Sequence, residues 1–304
     1  MRTEFTTLSN GLNRNHVMSR LWEKAKKLGT WNPDDIDLSK DKTDWGNLSD
    51  SERDLTLNVA TLFLSGEEAV TLDLLPLLSV VTGENRLEEE MYLTSFLWEE
   101  AKHVDFFHRY LDTVMTDSGD LSRYHTESYR AIFYETLPKA MALLKNDKSP
   151  QTQAEASVTY NIVVEGILAE TGYNGWYQIL QESGLLPGML EGIKFVQRDE
   201  SRHLCFGVYF ISRLVAEHGD SIWDAVEKKM ETLLMPAIGV INELFDYQEA
   251  KHGEVAFGLK REDFVDFAVV QFQKRMDRIE KSRELSLEDV MFKDLTEDFD
   301  PEPF

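Results

Sequence analysis

The sequence predicts an all-α protein organised around a helical bundle, and three observations predict it. Long segments repeat apolar residues at helical spacing. No alternating apolar run lies between hairpin turns, so strands are not expected. Two copies of Glu-x-x-His, Glu100/His103 and Glu200/His203, sit inside such segments, where residues three apart project from one helix face about one turn apart.

Taken in order, residues 1–15 are polar and give no helix signal. His16–Leu28 fits a short amphipathic helix with Val17, Leu21 and Ala25 inward and Gly29 as its stop. Trp31-Asn32-Pro33 opens an extended, proline-punctuated stretch, and the polar run 38–50 after it carries no apolar periodicity. Ser49 or Asp50 can cap a helix over 51–81, which Pro76 is expected to kink. Its apolar positions, from Leu55 to Leu78, spread too widely for a surface helix, so it belongs at the centre. Further helices are expected over 86–115, 121–145, 153–183, 187–218, 222–251 and 261–283, separated by glycine and proline breaks. Residues 1–283 read as one domain. The stretch 284–304 holds eight acids and one lysine and reads as a flexible acidic tail.

At 304 residues, with 42% hydrophobic and 11% aromatic residues, the chain can bury a sizeable core. A net charge of −23 argues against nucleic-acid phosphate as a partner. One cysteine, Cys205, leaves no intramolecular disulfide and reads as a small buried residue. Residues 1–15 have no apolar core of signal-peptide type, and no run is long enough to span a membrane. The expectation is a soluble cytoplasmic protein without membrane insertion.

Glu-x-x-His is a cheap motif, and a third copy, Glu249/His252, lies among polar residues at a helix end, where an imidazole simply meets the macrodipole. The first two lie on apolar faces: Phe96, Phe106 and Phe107 flank Glu100, and Val196, Leu204 and Phe206 flank Glu200. A carboxylate and an imidazole are expensive to bury there unless a cation compensates them. Two such pairs leave two metals short of ligands, and two further acids supply them. Glu67 lies in Leu62-Phe63-Leu64-Ser65-Gly66-Glu67, and Glu165 is a lone acid within Ile162-Val163-Val164-Glu165-Gly166-Ile167. Four carboxylates balance two divalent cations, and oxygen-rich sites with one nitrogen each suit iron or manganese better than zinc. The candidate ligands are thus Glu67, Glu100, His103, Glu165, Glu200 and His203, in the arrangement of ferritin-like dinuclear carboxylate bundles.

With these residues in place, the chain from about Trp31 to Arg283 resembles the ribonucleotide reductase small-subunit superfamily. Trp31-x-Pro33-x-Asp35-Ile36-Asp37 is similar to its tryptophan segment, and Asp199 to the aspartate that bonds towards that tryptophan and a metal-bound histidine, here His103. The position of the radical tyrosine, four residues after His103, is Phe107. Gly66-Glu67-Glu68-Ala69-Val70 and Tyr160-Asn161-x-x-Val164-Glu165 look instead like the R2-like ligand-binding oxidases. That resemblance implies manganese at Glu67/Glu100/His103 and iron at Glu165/Glu200/His203, with di-iron as the alternative. It implies O2 activation for C–H oxidation, an ether cross-link between Val70 and Tyr160, a long-chain fatty acid bound at the metals, and a homodimer. Two other readings stay open: a reductase subunit with a metal-based oxidant, to which the acidic tail ending in Phe304 is suited, and a non-catalytic ferritin-like metal or lipid-binding protein.

Overall fold

The computed structural model describes residues 5–9, 11–116, 118–181 and 183–292. Among the described residues every regular element is helical, as expected. After a single turn at Thr6–Ser9 come α1 (Val17–Leu28), α2 (Ser39–Asn47), α3 (Asp50–Asp73), α4 (Leu75–Gly83) and α5 (Leu87–Thr113). There follow α6 (Glu127–Arg130), α7 (Leu137–Leu143), α8 (Pro150–Ser157), α9 (Glu170–Leu180), α10 (Pro187–His218), α11 (Asp220–His252), α12 (Arg261–Glu280) and α13 (Leu287–Phe292). Three of these and one further segment form the bundle that matters here. α3 packs on α5, α5 on α10, and α10 on the π-helical segment Val158–Ala169 that joins α8 to α9 and closes back on α3. No described helix is long and apolar enough to cross a membrane.

Local chemistry explains the boundaries. Ser49 accepts from Glu52 N while the Glu52 carboxylate accepts from Ser49 N, a reciprocal cap that starts α3. The helix expected over 51–81 is split at Leu74, because Pro76 has no N–H and is tolerated only in the first turn of a new helix, α4. The single helix expected over 121–145 is instead a 3-10 turn, α6, a π-helical stretch Ala131–Thr136 and α7. Part of the acidic stretch 284–304 is also helical rather than free: α13 packs on α10 and buries Val290. The rest of that stretch, with Asp294–Phe304, lies outside the described residues.

The polar run 38–50 contains α2, a helix that apolar periodicity could not reveal because it buries acids. Asp41 is fully buried and accepts from Gly188 N and Met189 N, both at 2.9 Å, and from the Tyr110 hydroxyl at 2.8 Å. Asp44 accepts from Leu186 N at 2.8 Å. These carboxylates satisfy free N–H groups at the start of α10 and meet the positive end of its dipole.

A second buried polar group gives the fold a pH dependence. His16, 4% exposed, caps α1 by accepting from Met18 N through Nδ1, so its Nε2–H faces the Tyr209 hydroxyl, which donates to Glu89. Burial lowers its pKa to about 4, against the pull of Glu88. Between pH 6.5 and about 4 the unfolded chain therefore binds a proton that the fold refuses, and stability falls as pH falls. From pH 7 to pH 5 the loss attributable to His16 is about 2 kcal/mol. Urea titrations at the two pH values check it: the difference should shrink by that amount in His16→Asn, which keeps a capping acceptor but does not titrate.

Candidate metal centre

The six acids and histidines singled out by sequence converge from the four bundle helices. Glu67 comes from α3, Glu100 and His103 from α5, Glu165 from the π-helical segment, and Glu200 and His203 from α10; all are buried. They form two overlapping groups. Glu67, Glu100, His103 and Glu200 can converge on one ion, and Glu100, Glu165, Glu200 and His203 on another, so Glu100 and Glu200 belong to both. The Glu200 Oε1 atom lies 3.3 Å from His103 Nδ1 and 3.3 Å from His203 Nδ1. Glu100 reaches His203 Nδ1 with Oε1 at 3.1 Å and His103 Nδ1 with Oε2 at 3.7 Å.

Whether these side chains fit a cation pair is answered by what they lack. Both oxygens of Glu100, one each of Glu165 and Glu200, and the Nδ1 atoms of His103 and His203 are buried without a directed hydrogen-bond partner. Buried polar atoms are rarely left so, and two divalent cations, one in each ligand group, would compensate them. The protonation pattern agrees. Burial raises the Glu67 carboxyl to about 8, and burial with Glu200 and Glu100 pushes Glu165 well up. Burial also pushes Glu100 up, but the two imidazoles outweigh it and hold it at about 2. Burial disfavours charge on both histidines, yet the surrounding carboxylates raise them well above their usual value.

The far nitrogens of the imidazoles are fixed by a second layer. His103 Nε2 lies 3.3 Å from Asp199 Oδ2, and His203 Nε2 lies 3.0 Å from Glu99 Oε2. Each histidine of one helix is thus oriented by a carboxylate of the other, which sets its tautomer and basicity. Arg202 joins the two carboxylates, donating to Glu99 at 2.5 Å and Asp199 at 2.6 Å. Asp199 further accepts from Trp31 Nε1 at 2.8 Å and pairs with Lys102 at 2.8 Å. Lys102 Nζ sits 4.5 Å from each of the Trp31 and Trp98 rings, and Trp98 is 52% exposed. A connected path of side chains therefore runs from the surface to His103.

Val70 and Tyr160 are both buried at the same place. The Tyr160 hydroxyl donates to the Val70 carbonyl at 3.2 Å, and burial pushes its pKa well up. Beside them lies a cavity of about 970 Å³, solvent at its mouth included, with Glu67, Glu165 and Glu200 in a wall otherwise almost wholly apolar. His252, by contrast, stands apart from the centre and bonds to Asp54 at 3.0 Å, as its polar surroundings implied.

The ribonucleotide reductase small-chain family model matches residues 13–281. The chain belongs to that family. Within it the chain groups with the R2-like ligand-binding oxidases. A valine-to-leucine variant of such an oxidase with an anaerobically reconstituted Mn/Fe cofactor is 37% identical, with 91% of this chain and 98% of that one aligned at a TM-score of 0.85. A valine-to-isoleucine variant with an aerobically reconstituted Mn/Fe cofactor is 37% identical over 91% and 99%, at 0.87. The expected ferritin-like, ribonucleotide-reductase-type bundle is the observed one, and family and carboxylate–histidine cluster together make the chain a metal-binding oxidoreductase.

For this small-chain family member, Glu99, Arg202, Lys102 and Asn161 were missed by sequence reasoning. The signal for Glu99 was available: it precedes Glu100 as Asp199 precedes Glu200. Gly29 serves the same layer, since a Cβ there would run into Glu99 Oε1. Asn161 donates to Glu165 Oε2 at 3.1 Å from within the π-helical segment, whose wider turns no sequence pattern marks. Phe107 is buried and stacked on Phe63 at 5.3 Å, so this position offers no phenol to oxidise.

Proposed function

We propose that the chain is an O2-dependent Mn/Fe oxidase that holds a long-chain fatty acid at its metals and links Val70 to Tyr160. The observation that carries this reading is the set of six partnerless donor atoms around the shared carboxylates Glu100 and Glu200. Glu67, Glu100, His103 and Glu200 would hold manganese, and Glu165, Glu200, Glu100 and His203 iron. When bound, the pair lets dioxygen act as the oxidant of an unactivated C–H bond.

The chain's own residues do the rest. Tyr160 is held against Val70 by its hydrogen bond, so the reacting oxygen is positioned before any oxidation begins. In the cross-link the Tyr160 O–H and the Val70 Cβ–H bonds break, an O–Cβ bond forms, and two protons and two electrons pass to dioxygen. Burial keeps the phenol protonated until a carboxylate of the cluster can take its proton. Trp31, Asp199 and Lys102 provide a route by which electrons could reach His103 from the surface. The apolar cavity takes the acyl chain and turns its carboxylate towards Glu67, Glu165 and Glu200. A homodimer in the cytoplasm completes the proposal.

Peptide mass spectrometry after aerobic loading with manganous and ferrous ions tests it. The expected product joins the Val70 and Tyr160 peptides, two hydrogens lighter than their sum, and Tyr160→Phe abolishes it. Unlinked peptides at full metal occupancy would rule the cross-link out, and no oxygen uptake on loading would point to a metal store.

A further inference from the structure

The helix α9 borders two cavities, one almost wholly apolar and one of mixed lining. Thr171, Gly172, Gly175 and Ile179 on one face border the apolar cavity. Glu170, Asn174, Tyr177, Gln178 and Gln181 on another border a cleft of about 1020 Å³, solvent at its mouth included. Gln197 of α10 completes that wall, and the Tyr177 hydroxyl donates to its Oε1 at 2.7 Å, orienting the amide. Leu259 borders both cavities. It follows two consecutive left-handed residues, Phe257 (φ 60°) and Gly258 (φ 67°), of which Phe257 pays a steric cost. Strain of this kind collects at ligand clamps and gates.

A chain whose carboxylate lies at the metals held by Glu67, Glu165 and Glu200 has an apolar wall that includes Leu259, the residue shared with the cleft. Beyond it the amides of Asn174, Gln178 and Gln197 stand in a wall shared with Phe257 and Phe267. A methyl terminus there would strip water from Asn174, Gln178 and Gln197 without replacing its hydrogen bonds. A second carboxylate would meet Glu170, the acid of the cleft, whose carboxyl burial raises to about 7 against the pull of Arg275 and which is thus partly ionised at neutral pH. A neutral hydroxyl fits where neither does, because it can both donate to and accept from an amide.

We propose, building on the fatty-acid reading above, that the cleft is a subsite for the far end of the ligand, and that the preferred ligand is an acyl chain bearing a terminal hydroxyl. Leu259 is the gate between chain and head subsites.

Calorimetric titration of ligand-stripped, metal-loaded protein with palmitic acid, its ω-hydroxy derivative and the corresponding α,ω-dicarboxylic acid tests it. The hydroxy acid should bind roughly fivefold more tightly than palmitic acid, the worth of one net hydrogen bond. The dicarboxylic acid should bind more weakly than either. The double variant Asn174→Leu/Gln178→Leu should erase the hydroxyl advantage and tighten palmitic acid binding, since the methyl end no longer strips water from those amides, and Leu259→Trp should erase the advantage by closing the gate. Equal binding of palmitic and hydroxy acids, or an advantage that survives the double variant, overturns the subsite while leaving the fatty-acid reading intact. Binding of none of the three acids defeats that reading, and the subsite with it.

Discussion

Glu200→Ala should abolish retention of both cations, whereas Glu67→Ala and Glu165→Ala should each cost one. The difference follows from membership: Glu200 belongs to both ligand groups, Glu67 only to that of His103 and Glu165 only to that of His203. Elemental analysis after loading and dialysis reads the result directly. If Glu200→Ala keeps one firmly bound ion, the two groups are separate sites and not a shared centre. Loading should also release protons. In the metal-free cluster burial raises the proton affinity of Glu67, to about 8, and of Glu165, and the surrounding carboxylates raise that of His103 and His203. Cations displace protons from these groups, so an indicator in weak buffer should register acidification on loading, and affinity should climb as pH rises through about 8, where Glu67 gives up its proton.

The ligand set was legible because acids on apolar helix faces are costly, so each had to have a reason. Glu165, alone among isoleucines and valines, is the clearest case. How the set divides was not legible: helical spacing puts Glu100 beside His103, and only the packing of α5 on α10 brings its other oxygen to His203. The fold shows the same limit. Helices with apolar faces could be read to within a few residues, while α2 could not, because what it buries is Asp41 and Asp44 against another helix's N–H groups. The π-helical segment was hidden too, since the sequence 153–183 satisfies ordinary helical periodicity throughout.

Asp199→Ala should cost about 3–5 kcal/mol of stability, the usual consequence of leaving buried charge uncompensated. Asp199 is fully buried, and Lys102 and Arg202, 7% and 3% exposed, both pair with it. Burial works against its ionisation, but His103, Arg202 and Lys102 hold it well below the usual carboxylate range. The sign is therefore that of a depressed acid: its contribution is fully present above the unfolded value near pH 4 and is lost only as pH falls further. Denaturant titration at pH 7 should give the full loss, and the gap between native protein and variant should narrow only in strong acid. A gap that already closes at pH 6 would mean that the carboxylate is not held by these cations. The source of the cost can be isolated with Asp199→Ala/Arg202→Met. Removing an entire buried pair is often close to neutral, whereas removing half is not, so the double variant should recover part of what the single one loses. Recovery will be incomplete, because buried Lys102 still lacks the Asp199 carboxylate, and because Arg202 also holds Glu99, which orients His203. The loss of the Arg202 hold on Glu99 should appear separately, as weaker metal retention in the double variant than in Asp199→Ala alone.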